Sequence, residues 1–289
     1  SYETVACSLL GHQSFMIVES PSPTRQITRL WILPLLTFFF FSGAILIPYC
    51  IGLSLGHFPI LPIISECGVV APEGSIFTLL LNASGFLFLV LACIKHVTFI
   101  AFYEPLRADI WWRRVSQFSL ASSFVVTLGT SMVASFSLRD FRIIHGFSAG
   151  VMFLGGLVYM WLITILSFLR PLACCRFVAL LRICMSATAS FCMALQAVGM
   201  HQTHETPYRG NVTMDSYAII FYKMKDSQYA EHLLARVCEW VVAFTTFAFL
   251  TTFAEEFRKC SITMPKLAIR YSVTSKSEEY SDDVTTVKR

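Results

Sequence analysis

Six stretches of the chain are long, apolar and nearly free of charge, enough to cross a bilayer core of about 30 Å as helices. They run from Leu30 to Leu55, Ile76 to Thr98, Val115 to Phe136, Gly146 to Leu169, Phe177 to Met200 and Val237 to Phe253. Charges or turn formers bound each one: Pro59 and Pro62 follow the first, Glu104-Pro105 the second and Arg170-Pro171 the fourth. The pattern predicts an all-α polytopic membrane protein with six transmembrane helices. It divides the chain into an N-terminal segment (1–26), a six-helix domain (27–259) and a tail (260–289). The tail's "SEEYSDD" is too polar to bury a core and is expected to be disordered.

Composition agrees, with 55% hydrophobic and 14% charged residues against about 25% charged in soluble domains. Charge then orients the spans, because Lys and Arg accumulate on the cytosolic side. The N-terminus, the second and fourth connections and the tail carry sixteen of the 22 basic residues. The opposite side holds Arg139, Arg142, Arg209, Lys223, Lys225 and Arg236. Both termini are therefore expected in the cytosol, with the first span serving as insertion signal. The sequon at Asn211 then falls in the last lumenal loop and is a candidate glycosylation site; that at Asn82 lies inside a span and stays bare. Basic residues do not cluster beside aromatics in a soluble stretch, so nucleic acid is not an expected partner.

The chemistry-bearing motifs are sparse. Gly146-Phe147-Ser148-Ala149-Gly150 spells the hydrolase elbow GxSxG, but an elbow needs a strand, a turn and a helix. Here the five residues open a span, and the preferred reading is a small-residue packing face continued by Gly155 and Gly156, with Ser186 and Ser190 offering a similar face on the fifth span. His201, His204 and Glu205 could approach a metal, yet a polar loop fixes no ligand spacing; no cofactor or metal is expected. Lys95 and Arg182 lie near span ends and are expected to snorkel. Asn82 is expected to make interhelical hydrogen bonds. Arg236 and Glu239 are placed to pair along one helix face, with Trp240 in the interfacial belt. Cys174 and Cys175, beside Arg170 and Arg176, are candidate palmitoylation sites. The ten cysteines form no CxxC; one bridge from Cys67 to Cys50 or Cys238 stays open.

One connection is more elaborate than a linker. "ISECGVVAPEGSIFTLLLN", Ile64 to Asn82, places Pro72 where a first helical turn needs no donor and Glu73 at the positive end of the helix dipole. Capping leaves Ser65, Glu66 and the residues up to Val70 unexplained. The longer stretch "PIISECGVVAPEGSIFTLLLNASGF" resembles the DRAM (damage-regulated autophagy modulator) family of six-span membrane proteins. So do "GTSMVASFSLRDFRIIHGFSAGVMFLGGLVYMWLITILSF" and "VCEWVVAFTTFAFLTTFAEEFRKCSI". The resemblance extends from the first span to about Ile262. Glu66-Cys67 stand where the family has an Asp-Thr pair, and neither Tyr271 nor Tyr280 begins a YxxΦ sorting signal.

The resemblance implies a non-enzymatic modulator of autophagy at lysosomal or related membranes. Membrane lipids, and other membrane proteins, are the implied partners. The topology gathers Glu66, Glu73, Asn82, His145, Glu239 and Trp240 as a lumen-facing cluster of functional candidates. Two alternatives remain: a plasma-membrane accessory subunit or signalling scaffold, and a lipid-remodelling factor like distant relatives in GPI-anchor maturation.

Overall fold

The computed structural model describes residues 4–10, 13–19, 26–57, 60–103, 110–169, 175–204, 229–263 and 268–273. Two compact units emerge: residues 29–260, and a second assembled from 1–28 with 261–289.

The larger unit holds the six expected helices, α1 (Ile32–Leu55), α2 (Glu73–Tyr103), α3 (Ile110–Ser135), α4 (Arg142–Leu169), α5 (Arg176–His204) and α6 (Tyr229–Thr251), with a short α7 (Ala254–Phe257). All six are long and apolar enough to cross a membrane. Several outrun the expected spans, because polar residues at a bilayer boundary satisfy water and helix together. α6 in particular starts eight residues before Val237, through Glu231 and Arg236.

α1 ends where Gly56 turns left-handed (φ 74°). Its N–H and that of His57 then cap the carbonyls of Leu53 and Gly52, at 3.2 and 2.9 Å, as a Schellman motif does. The chain next forms a one-turn 3-10 segment, Ile64–Gly68, before α2. We call residues 57 and 60–68 the plug.

Consecutive helices pack as neighbours, and α6 closes the ring against α1. Arg258 lies over the Trp31 ring at 5.6 Å, so the domain's chain enters and leaves at one end. Large apolar side chains such as Phe39, Leu79, Phe118 and Phe191 remain about two-thirds exposed, as lipid contact requires.

The expected small-residue face needs correcting. A Cβ on Gly146 or Gly150 would meet nothing within 4 Å, so these glycines permit no close approach. The tight α3–α4 contact runs through Gly129, where a Cβ would stand 3.0 Å from Met152 N and 3.2 Å from Ser148 O. Gly155 faces Val126 in the same seam. On α5 the expectation holds: Ser190 accepts from Trp161 Nε1 at 3.0 Å, and Ser186 lies 3.1 Å from Thr164.

In the smaller unit β1 (Thr4–Leu10), β2 (Gln13–Glu19) and β5 (Ala268–Val273) form an antiparallel sheet in the order β1-β2-β5. β3 (Gln26–Ile27) pairs with β4 (Ile262–Thr263). Part of the tail expected to be disordered is therefore strand, in register with β2 from Ser14↔Val273 to Glu19↔Ala268. Tail composition cannot announce a partner strand at the other end of the chain.

Candidate functional site: a pinned plug above a buried ion cluster

The plug has little secondary structure of its own, yet side chains from several elements hold its backbone. Tyr49, on α1, donates to Ile60 O at 2.6 Å. From α6, Arg236 donates to Leu61 O at 3.3 Å and Trp240 Nε1 to Pro62 O at 2.9 Å. Glu66 Oε2 accepts from Ile63 N at 2.8 Å, and Glu239 Oε2 from the next amide, Ile64 N, at 3.2 Å. Two consecutive backbone donors thus end on two buried carboxylates, which removes the cost of leaving them without water.

His145 adds a fourth direction. Its Nδ1 lies 2.6 Å from Phe136 O, which can only accept, so the neutral ring carries its proton there. Nε2 then accepts from Ser65 Oγ at 2.8 Å. At the plug's start, His57 Nδ1 is 2.5 Å from Glu73 Oε1 at the first residue of α2. At its end Gly68 lies against the Phe77 ring, where a Cβ would stand only 2.6 Å away. Burial is the main influence on Glu66 and Cys67. It raises the Glu66 carboxyl above its ordinary value, with Arg236 and the Ile63 amide opposing. It likewise pushes the Cys67 thiol up, helped by the charges of Glu239 and Glu66, so Cys67 stays a thiol.

Five of the six candidates, Glu66, Glu73, His145, Glu239 and Trp240, therefore converge on the plug. Asn82 does not. It lies nine residues into α2 from Glu73, about 13 Å deeper. There it accepts from Ser131 Oγ at 2.7 Å and donates to Thr78 O at 2.9 Å, tying α2 to α3. Arg236 binds the plug rather than pairing with Glu239. Cys50, Cys67 and Cys238 are all free thiols, so neither open bridge forms. Asn211, Cys174 and Glu205 lie outside the described residues, while Cys175 is exposed just before α5. Tyr49, His57 and Ser65 were not among the candidates; a His directly after the Gly56 cap was the available signal for His57.

At the opposite end of the bundle the snorkelling expectation fails. Arg182 is fully buried, and its Nη1 donates to Glu256 Oε1 at 2.9 Å and Ser167 Oγ at 2.5 Å. Its Nε reaches Thr252 Oγ1 at 2.9 Å. Lys95 Nζ hydrogen-bonds the other oxygen of Glu256. Phe253 sits under both cations, 5.2 Å from Lys95 and 4.9 Å from Arg182. The cluster ties α2, α4, α5 and α7 together. Snorkelling fails because Arg182 lies on the side of α5 that faces α4 and α6, and the break at Thr252-Phe253 turns Glu256 inward. Three ionisable residues of opposite sign near one membrane face were the overlooked signal. Glu255, by contrast, stays at the surface beside Arg258 and Lys259.

Between the two polar layers lies an apolar cavity of about 80 Å³, roofed by Ile64 and Ser65 of the plug and by Glu239, and floored by Tyr159 and Leu250. Among the described residues no group of three His, Cys, Asp or Glu could hold a metal.

Residues 29–260 match the family described as Frag1/DRAM/Sfk1/Cwh43P N-terminal domain. The chain belongs to this family. The matched segment coincides with the six-helix unit and leaves the strand-forming flanks outside. Among similar family members, DNA damage-regulated autophagy modulator protein 2 of Bos taurus is 26% identical over 223 residues, 76% of this chain and 81% of that protein. DNA damage-regulated autophagy modulator protein 1 of Mus musculus is 27% identical over 224 residues, 76% of this chain and 88% of that protein. Transmembrane protein 150A of Xenopus laevis is 24% identical over 212 residues, 73% of this chain and 67% of that protein. No solved structure matches.

Proposed function

We propose that this family member modulates autophagy at a lysosomal or related membrane. Both termini lie in the cytosol and the pinned plug faces the lumen. It acts by contact with lipid or with other membrane proteins rather than by catalysis. The observation that carries the reading is kinship, across the whole six-helix unit, with proteins named autophagy modulators. The binding mode is supported by Ser148 of the GxSxG motif, which sits inside α4 and spends its hydroxyl on Ile144 O at 2.7 Å. The plug's carboxylates, likewise, are committed to backbone amides.

A tagged copy at native expression, followed by autophagic flux after deletion and rescue, tests the reading. Residence on lysosomal membranes and flux that falls on deletion support it. Unchanged flux with the protein confined to the plasma membrane refutes it and favours the accessory-subunit alternative. Orientation is read separately: an endoglycosidase-sensitive mass shift, lost in Asn211→Gln, places the plug side in the lumen.

A further inference from the structure

α5 and α6 pack antiparallel, and the same faces meet at successive levels along the seam. A Cβ on Gly199 would stand 2.8 Å from Glu231 O and 3.1 Å from Ala235 Cβ, so the two backbones nearly touch there. Two turns back along α5 lies Cys192, and three residues on along α6 lies Cys238. Steps of seven and three residues keep a side chain on one helix face, so both cysteines stay in the seam. Beyond them Met185 and Thr188 of α5 line one groove with Phe244 and Thr245 of α6, in the same register. That register sets Cys192 opposite Cys238, and the two side chains are in hydrogen-bonding contact. Both are free thiols, Cys238 buried and Cys192 half-buried.

A disulfide needs Cβ vectors that converge across a short Cα separation. A seam tightened by Gly199, with two thiols meeting in it, supplies that arrangement. Arg236, Glu239 and Trp240, on either side of Cys238 in the sequence, hold the plug, while Cys238 itself is turned to α5. We propose that Cys192 and Cys238 form a redox modification site, closed to a disulfide by a hydroperoxide, which staples α5 to the helix that holds the plug. One thiol attacks the peroxide, the O–O bond breaks, and a sulfenic acid forms as an alcohol leaves, or water when the oxidant is hydrogen peroxide. The second thiol attacks the sulfenic sulfur, the S–S bond forms and water leaves. The two thiols give up two electrons, which the hydroperoxide takes, and their protons leave in the water and alcohol. Cys192 is the more exposed and meets the oxidant first; contact with Cys238 closes the bridge before a second oxidation. Arg182 already ties α5 down at the far end of the bundle, through Glu256. The bridge ties it at the plug end.

The test treats the full chain, purified in mild detergent, with hydrogen peroxide, alkylates the remaining thiols and digests the monomeric fraction with trypsin. Cleavage after Arg182, Arg209, Arg236 and Arg258 places Cys192 in the peptide 183–209 and Cys238 in 237–258. A species joining the two peptides, lighter than their sum by two hydrogens, is expected and disappears on reduction. It is lost in Cys192→Ser and in Cys238→Ser, and kept in Cys184→Ser, which removes the other cysteine of the first peptide. Cys192→Ala repeats the loss in case a serine variant does not fold. Oxidation is also expected to raise the SDS concentration that unfolds the wild type, reduction to return it, and Cys238→Ser to show neither shift. A linked species that survives in Cys192→Ser overturns the site, as does its absence from peroxide-treated wild type. A bridge that leaves the unfolding midpoint unmoved overturns the staple. Bridge and autophagic flux are read in separate assays, so either can fail without the other.

Discussion

Glu256 is the single residue whose loss should hurt the bundle most. It is 3% exposed, and its two oxygens serve Lys95 and Arg182. Glu256→Gln keeps the shape and removes the charge, leaving two cations in a site that excludes water. Breaking a buried pair from one side costs about 3–5 kcal/mol, because the uncompensated charge cannot be rehydrated. That corresponds to roughly two to three and a half decades in the unfolding equilibrium. Lys95→Met should cost less, since the Arg182–Glu256 pair survives it. Replacing all three by Met removes charge and desolvation together and should recover most of the loss. The assay is reversible unfolding of the purified protein by SDS titrated against mild detergent, followed by tryptophan fluorescence. A Glu256→Gln midpoint within about 0.5 kcal/mol of wild type, the range of ordinary surface substitutions, would mean that water reaches the cluster and that the burial argument is wrong.

At the plug, Glu239→Ala leaves the Ile64 amide without its acceptor and should cost about 1–3 kcal/mol, against about 0.5–1.5 for Trp240→Phe, which loses one bond to Pro62 O. Glu73 anchors His57 at one edge of the plug and Glu239 holds its middle, so Glu73→Gln and Glu239→Gln should be non-additive in SDS unfolding; simple addition would show two independent contacts. Folding raises the pKa of Glu66, so its stabilising contribution is complete below the ordinary carboxylate range and is lost as pH climbs through the raised value. The wild-type midpoint should accordingly fall as pH rises above the ordinary carboxylate range, and Glu66→Gln should flatten that slope. Gly129→Ala, whose Cβ would press on the α4 backbone, should cost about 1–3 kcal/mol, whereas Gly146→Ala, with open space, should be neutral or slightly stabilising. Equal effects of the two glycine variants would refute the placement of the α3–α4 seam.

The six spans were legible because lipid leaves the backbone no option but internal hydrogen bonding, so twenty apolar residues in a row announce a helix without any tertiary information. The cluster at the plug was legible for a related reason. Topology alone assigns Glu66, Glu73, His145, Glu239 and Trp240 to one membrane face, and a face is a small area. What a side chain does there depends on which helix stands opposite. Arg236 has Glu239 one turn away along its own helix, yet the loop above α6 offers the Leu61 carbonyl, and that contact prevails. Asn82 shares a helix with Glu73 but is too deep to reach its neighbours, and Ser131 takes its oxygen instead.

At the other end, Lys95, Glu256 and Arg182 are separated by up to 161 residues, and each alone reads as an interfacial charge. Only the azimuth of each helix about its axis decides whether such a residue points to water or inward, and azimuth is set by packing. The same limit applies to Gly146 and Gly129, two small residues that the sequence ranks alike and the bundle uses oppositely. It applies as well to strand β5, which exists through its pairing with β2. Sequence by itself determined how many times the chain crosses the bilayer and which residues lie at each face, because both follow from local hydration. Partnership, burial and the empty volume beneath the plug came from the tertiary structure, because each is a property of several distant segments at once.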